Sequence, residues 1–190
     1  MRAGSLIGMN DKSTSPQTAT QWSEPMPDNP APKAPPARKR KFLVIADGSE
    51  ESSKALRFAS LRAAHTEGAV TLLAVIGPAD FQHWLGVENL MREEAMDEAE
   101  RVLHRLAAEA YDNFGVRPEL VVKEGKLREK IASLIEKDPD IAVLVLAAAT
   151  GKEGPGPLVS SIAGDAAGGF GIPVTIVPGD LTDEQISLLA

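Results

Sequence analysis

Apolar residues in this chain gather in short unbroken runs rather than alternating with polar ones. Four such runs stand out: Phe42–Ala46 (FLVIA), Val70–Ile76 (VTLLAVI), Ile141–Leu146 (IAVLVL) and Val174–Val177 (VTIV), with a shorter one centred on Leu120–Val122. A strand buried on both faces needs apolar side chains at every position, so these runs predict five strands of a parallel sheet covered on both sides. Between them the apolar spacing lengthens to that of helices. A helix is predicted near 50–66, with Ser49 as N-cap, Glu50 and Glu51 at the positive end of its dipole, and Gly68 as its stop. A long amphipathic helix follows near 88–113, with Met91, Ala95, Val102, Leu103, Leu106 and Ala110 as its apolar stripe and Gly115 beyond its end.

A third helix is predicted over 127–137, facing inward through Leu127, Ile131, Leu134 and Ile135. A glycine-rich stretch and a short helix separate the fourth and fifth strands. The last helix is expected at 182–189, where Thr182 and Gln185 have capping-box spacing. The fold class that follows is α/β: an open, doubly wound five-stranded parallel sheet with helices on both faces.

Residues 1–38 break with this pattern. They are rich in Pro, Ser, Thr, Ala and Asn, with prolines at 16, 25, 27, 30, 32, 35 and 36 and no apolar period. Such a segment buries too little apolar surface to offset its ordering entropy, so it reads as a disordered tail ahead of one domain over 39–190. The run Arg38-Lys39-Arg40-Lys41 reads as a solvated lead-in to the first strand.

With 43% hydrophobic and 25% charged residues among 190, the chain supports one core. It has no cysteine, which excludes disulfides, thiolate metal sites and thiol catalysis, and a reducing, cytoplasmic setting fits. The opening MRAGSLIGMN is too short an apolar patch for a signal peptide or a membrane span. The net charge of −7 conceals an uneven distribution. Residues 1–41 hold seven Lys/Arg and three Asp/Glu, leaving the remainder at −11. A body so acidic repels polyanions, which argues against nucleic acid, while a single nucleotide held by backbone donors stays compatible.

In open parallel sheets, ligands sit at the carboxyl ends of strands where the winding reverses. Two turns qualify by position: Asp47-Gly48-Ser49 after the first strand, and Gly151-Lys152-Glu153-Gly154-Pro155-Gly156 after the fourth. Glycines let backbone N–H groups approach a phosphate, and Lys152 adds a full positive charge. The other reading is a tight turn whose glycines supply positive φ. Neither the Walker spacing nor the dinucleotide fingerprint is present, since only Gly48 follows the first strand. His65, His83 and His104 lack ligand spacing, so no metal site is assigned. Phe81, His83 and Trp84 read as a hydrophobic cluster under a loop, and Glu93, Glu94, Asp97, Glu98 and Glu100 as a solvated helix face.

The succession strand-Asp47-Gly48-Ser49-Glu50-Glu51-Ser52, Glu124-Gly125 before a helix, and a strand leading into Gly151-x-x-Gly154 resembles the universal stress protein family over residues 41–178. Nucleotide-binding members carry Gly-x-x-Gly, nine residues, then Gly-Ser/Thr. The resemblance implies the sheet order 3-2-1-4-5 and a homodimer paired through the fifth strands. It also implies a site of Asp47 at the adenine end, the backbone around Val75, Gly151 and Gly154. By direct count the next glycine is Gly164, followed by Asp165 where the family has a hydroxyl. Aligned instead from Pro173-Val174, Leu158–Ala163 falls on the family's Leu-Leu-Gly-Ser-Val-Ala, which adds Ser160 and Ser161 and shortens the phosphate loop, and Gly156 of the glycine turn completes the expected site. The expected function is a stress-response or regulatory protein, not an enzyme, holding ATP or another adenine nucleotide without rapid turnover. The alternative is a dimeric interaction module that binds no nucleotide.

Overall fold

The computed structural model describes residues 38–77, 88–150, 154–156, 159–160 and 169–190, all within the compact unit Ala37–Ala190. Apart from Arg38, the expected tail lies outside the described residues, as does the Phe81–Trp84 cluster. The elements run β1 (Lys41–Ile45), α1 (Glu50–His65), β2 (Ala69–Ile76), α2 (Glu88–Phe114), β3 (Glu119–Glu124), α3 (Leu127–Lys137), β4 (Ile141–Ala148), β5 (Val174–Pro178) and α4 (Asp183–Leu189). The strands form one parallel sheet in the order β3-β2-β1-β4-β5, as expected. Of the short helix expected before β5, Val159 and Ser160 are helical and the rest lies outside the described residues.

The apolar runs bury two faces at once. On one face Phe42, Val44, Leu72, Ala74, Val145 and Val177 pack against Leu56 and Ala59 of α1, Leu103 and Leu106 of α2, and Ile186 of α4. On the other, Leu43, Ile45, Leu73, Leu144 and Leu146 meet Ile131 of α3, Val159 and Phe170. Successive residues of β1 thus enter opposite cores, which is why the strand reads as unbroken apolar sequence. Among the described residues no helix is long and apolar enough to cross a membrane.

Local punctuation follows the sequence closely. Ser49 caps α1 by accepting from the Ser52 N–H at 3.2 Å. Thr182 and Gln185 form the reciprocal capping box of α4. Gly115, at φ +66°, closes α2 as an αL cap, its N–H donating to the Tyr111 carbonyl at 2.9 Å, and the Val116 N–H donates to the Ala110 carbonyl at 3.3 Å.

Gly68 closes α1 as expected, its N–H donating to the Ala63 carbonyl at 2.8 Å, with Glu67 before it in the left-handed region at φ 52°. A Cβ at Gly68 would also lie 2.6 Å from the Arg40 carbonyl oxygen. Two local expectations are corrected. Met91 leaves the apolar stripe and is 44% exposed. Lys41 is not part of a solvated lead-in. It begins β1 and donates to Asp138 and Glu119, each at 2.7 Å, with its side chain 23% exposed. These hydrogen bonds hold the Lys41 ammonium above the ordinary lysine range. Burial pushes the Asp138 carboxyl up, but the Lys41 ammonium and the Asp140 N–H outweigh it and hold it below the usual range.

Candidate functional site

β1 lies between β2 and β4, so the crossovers leave it in opposite directions and the carboxyl ends of β1 and β4 flank the point where the winding reverses. A cavity of about 360 Å³ opens there. It is lined by Ile45, Asp47, Ser49 and Glu51 from the β1–α1 side, and by Leu146, Ala147 and Ala149 from the end of β4. Leu127, Pro155, Gly156 and Val159 complete it. The volume lies within the ~300–1,000 Å³ typical of small-molecule sites.

The β1–α1 turn sets its polar wall. Gly48 takes φ +81°, which reverses the chain directly after Asp47. The Ser49 N–H and hydroxyl then both donate to Asp47 Oδ1, at 3.0 and 2.6 Å. These two bonds set the orientation of Asp47, which lines the cavity. One helical turn further, Glu51 lines the same space, with Thr150 Oγ1 at 3.5 Å from its Oε1.

The β4 side has a compact turn. Gly154 and Gly156 take φ +88° and +94°, and a Cβ on either would meet nothing within 4 Å, so their requirement is conformational rather than steric. The Ala149 N–H donates to the Pro155 carbonyl at 3.3 Å, and the Ser160 N–H to that of Gly156 at 2.9 Å. This internal bonding places Pro155 and Gly156 against the cavity.

Of the residues expected at a site, Asp47 and Gly156 line the cavity, and Gly154 stands in the turn that shapes it. Ser160 is exposed in the helical turn after Gly156. Val75 does not line the cavity: it lies inside β2, paired with Lys123, and packs against the core beneath α3. Gly151, Lys152 and Ser161 lie outside the described residues, as do Gly164 and Asp165. His65 touches the Ala190 carbonyl and His104 is exposed on α2.

Two contributors escaped the reading of the sequence. Glu51 carries a helix-start signal that masks its place in the cavity. Gly179, just after β5, donates its N–H to the Ala148 carbonyl at 3.0 Å. A Cβ there would lie 2.6 Å from both that oxygen and Glu51 Cγ. A glycine following a strand reads as a turn, and only the fold reveals the close approach.

Comparison with known proteins supplies the wider frame. No curated protein sequence matches the chain significantly. Among solved structures, a universal stress protein UspA from Lactobacillus plantarum is similar at 18% identity and a TM-score of 0.60, over 74% of this chain and 99% of that one. The universal stress protein from Archaeoglobus fulgidus in complex with dAMP shares 17% identity at 0.54, over 74% and 98%. A family member from Arabidopsis thaliana with AMP bound shares 14% at 0.51, over 76% and 94%. At these identities the structures establish a common fold. The model of the universal stress protein family matches residues 39–178, from the strand lead-in to the last residue of β5, leaving α4 beyond it. The chain belongs to the universal stress protein family.

Proposed function

We propose that this protein is a cytoplasmic, homodimeric binding protein that holds an adenine nucleotide in the β1–β4 cavity without rapid turnover, in a stress-response or regulatory role. One observation carries the reading: a cavity of about 360 Å³ lies where the winding reverses, with Asp47 fixed at its wall by two hydrogen bonds from Ser49. Its apolar side, formed by Ile45, Leu146 and Val159, suits the faces of a purine, and the Asp47 carboxylate suits an exocyclic amine. The Archaeoglobus fulgidus and Arabidopsis thaliana relatives hold dAMP and AMP on the same fold. For dimerisation, β5 is an edge of the sheet and its Ile176 is 38% exposed, which favours pairing with a second copy.

A thermal-shift series with AMP, ADP and ATP tests the reading. Ligand at ~100 times the dissociation constant adds about 2.7 kcal/mol, which raises Tm by about 5–10 °C in a domain of this size. Asp47→Asn keeps an acceptor for Ser49 and is expected to weaken binding about tenfold, the loss of one charge-assisted hydrogen bond. No shift at millimolar concentration of any of the three, in protein that carries no nucleotide absorbance, would leave a dimeric interaction module in its place. Sedimentation as a monomer at micromolar concentration would overturn the dimer.

A further inference from the structure

The cavity is lopsided in charge. Its apolar side is Ile45, Leu127, Leu146, Pro155 and Val159, whereas its described ionisable lining groups are two carboxylates, Asp47 and Glu51, with the Ser49 hydroxyl between them in sequence. Two distant segments approach Glu51. Thr150, just past β4, places its hydroxyl 3.5 Å from Oε1. Gly179, just past β5, admits the side chain so closely that a methyl group there would sit 2.6 Å from Cγ. The positive end of α1, which would otherwise draw a phosphate, is already served by the chain itself. Ser49 caps it, and Glu50 and Glu51 occupy its first turn.

We infer that Glu51 is a specificity-determining residue, and that it makes the cavity select adenine compounds of low charge, the nucleoside and its monophosphate, over the triphosphate. The inference rests on the nucleotide reading above. Asp47, at the strand end, suits a hydrogen-bond donor of the base, and a carboxylate repels a ligand in proportion to the charge that ligand brings near it. A triphosphate carries roughly two more negative charges than a monophosphate, so it bears the larger share of the repulsion. Because the cavity opens to solvent, the repulsion is modest and screened by salt.

The test is equilibrium binding of adenosine, AMP and ATP to the full chain in chelator, without magnesium. The unaltered protein is expected to bind AMP or adenosine about tenfold or more tighter than ATP. Glu51→Gln is expected to narrow that ratio about three- to tenfold, the effect of one unit charge near the mouth of an aqueous cleft. Raising the salt from about 50 to about 500 mM should narrow it in the unaltered chain as well, a readout that needs no variant. ATP binding as tightly as AMP, or a ratio unmoved by Glu51→Gln whatever its response to salt, overturns the assignment to Glu51 and leaves nucleotide binding intact. Failure of all three compounds to bind overturns the nucleotide reading itself, and this inference with it.

Discussion

Gly179 and Gly154 are both glycines in turns beside the cavity, and the structure requires each for an opposite reason. At Gly179 a Cβ would lie 2.6 Å from the Ala148 carbonyl oxygen, 2.6 Å from Glu51 Cγ and 3.0 Å from Thr150 Cγ2. The Glu51 stem has freedom to swing aside. The Ala148 carbonyl does not, because it ends β4 and accepts the Gly179 N–H at 3.0 Å. Gly179→Ala therefore forces the backbone apart, at about 1–3 kcal/mol for overpacking, and loses a hydrogen bond worth about 1 kcal/mol. The expected total is about 2–4 kcal/mol. At Gly154 the Cβ meets nothing within 4 Å and only φ +88° opposes it, so Gly154→Ala should cost about 1–2 kcal/mol.

Asparagine separates the two mechanisms, because it tolerates positive φ yet still carries a Cβ. Gly154→Asn should recover part of the loss and Gly179→Asn none. Urea unfolding followed by circular dichroism reads the difference as a midpoint lowered by about 1 M for Gly179→Ala, given ~1–3 kcal/mol/M for the urea slope. A Gly179→Ala protein within about 0.5 kcal/mol of the parent, the range of ordinary surface substitutions, or one rescued by Asn, would refute the close-approach argument.

Two further outcomes follow from packing and charge. Ile186 is fully buried between α4 and α1, so Ile186→Ala should cost about 2–5 kcal/mol; a loss below 1 kcal/mol would mean that α4 is not docked in solution. Lys41→Met should cost about 1–2 kcal/mol at pH 7, the worth of hydrogen bonds to charged groups discounted for the exposed Glu119. Asp138 titrates below its ordinary value in the folded protein, so its share is present above the unfolded value near ~4 and lost as pH falls through the folded one. Lys41 titrates above its ordinary value, so its share is present below the unfolded value near ~10.4 and lost only as pH rises through the folded one. The gap between parent and variant should therefore hold across neutral pH and close toward pH 2, and a gap independent of pH from 2 to 7 would assign the role of Lys41 to packing.

The legible parts of this fold are those decided by neighbours in the chain. The inner strands β1, β2 and β4 are legible because burial on both faces leaves almost no polar position in a run such as IAVLVL, whereas the edge strands β3 and β5 keep exposed positions and show shorter runs. The Ser49 cap and the Thr182–Gln185 box are legible because their partners lie three residues away. Reading failed where partners are remote. Lys41 meets residues 78 and 97 positions onward, so nothing near it distinguishes it from the basic run it follows. Glu51 and Gly179 meet only through the closure of the sheet. Gly68 ends α1 as its position predicts, but the approach of the Arg40 carbonyl, which also requires a glycine there, is invisible in sequence. Asp47 and Gly156 line the cavity at the strand ends where the topology of a doubly wound sheet puts a ligand, whereas Val75, implied by the family resemblance, lies in β2 as its apolar run predicts and is not among the lining residues.

The central claim is that the cavity between the ends of β1 and β4 receives the adenine compound. Amide chemical-shift mapping during an AMP titration tests it most directly. The shifts are predicted to concentrate at residues 45–51, 146–149 and 154–156, which surround the cavity. Shifts gathered instead around Lys39, Gly68 and Arg117 at the opposite end of the sheet, or none at saturating AMP, would contradict it.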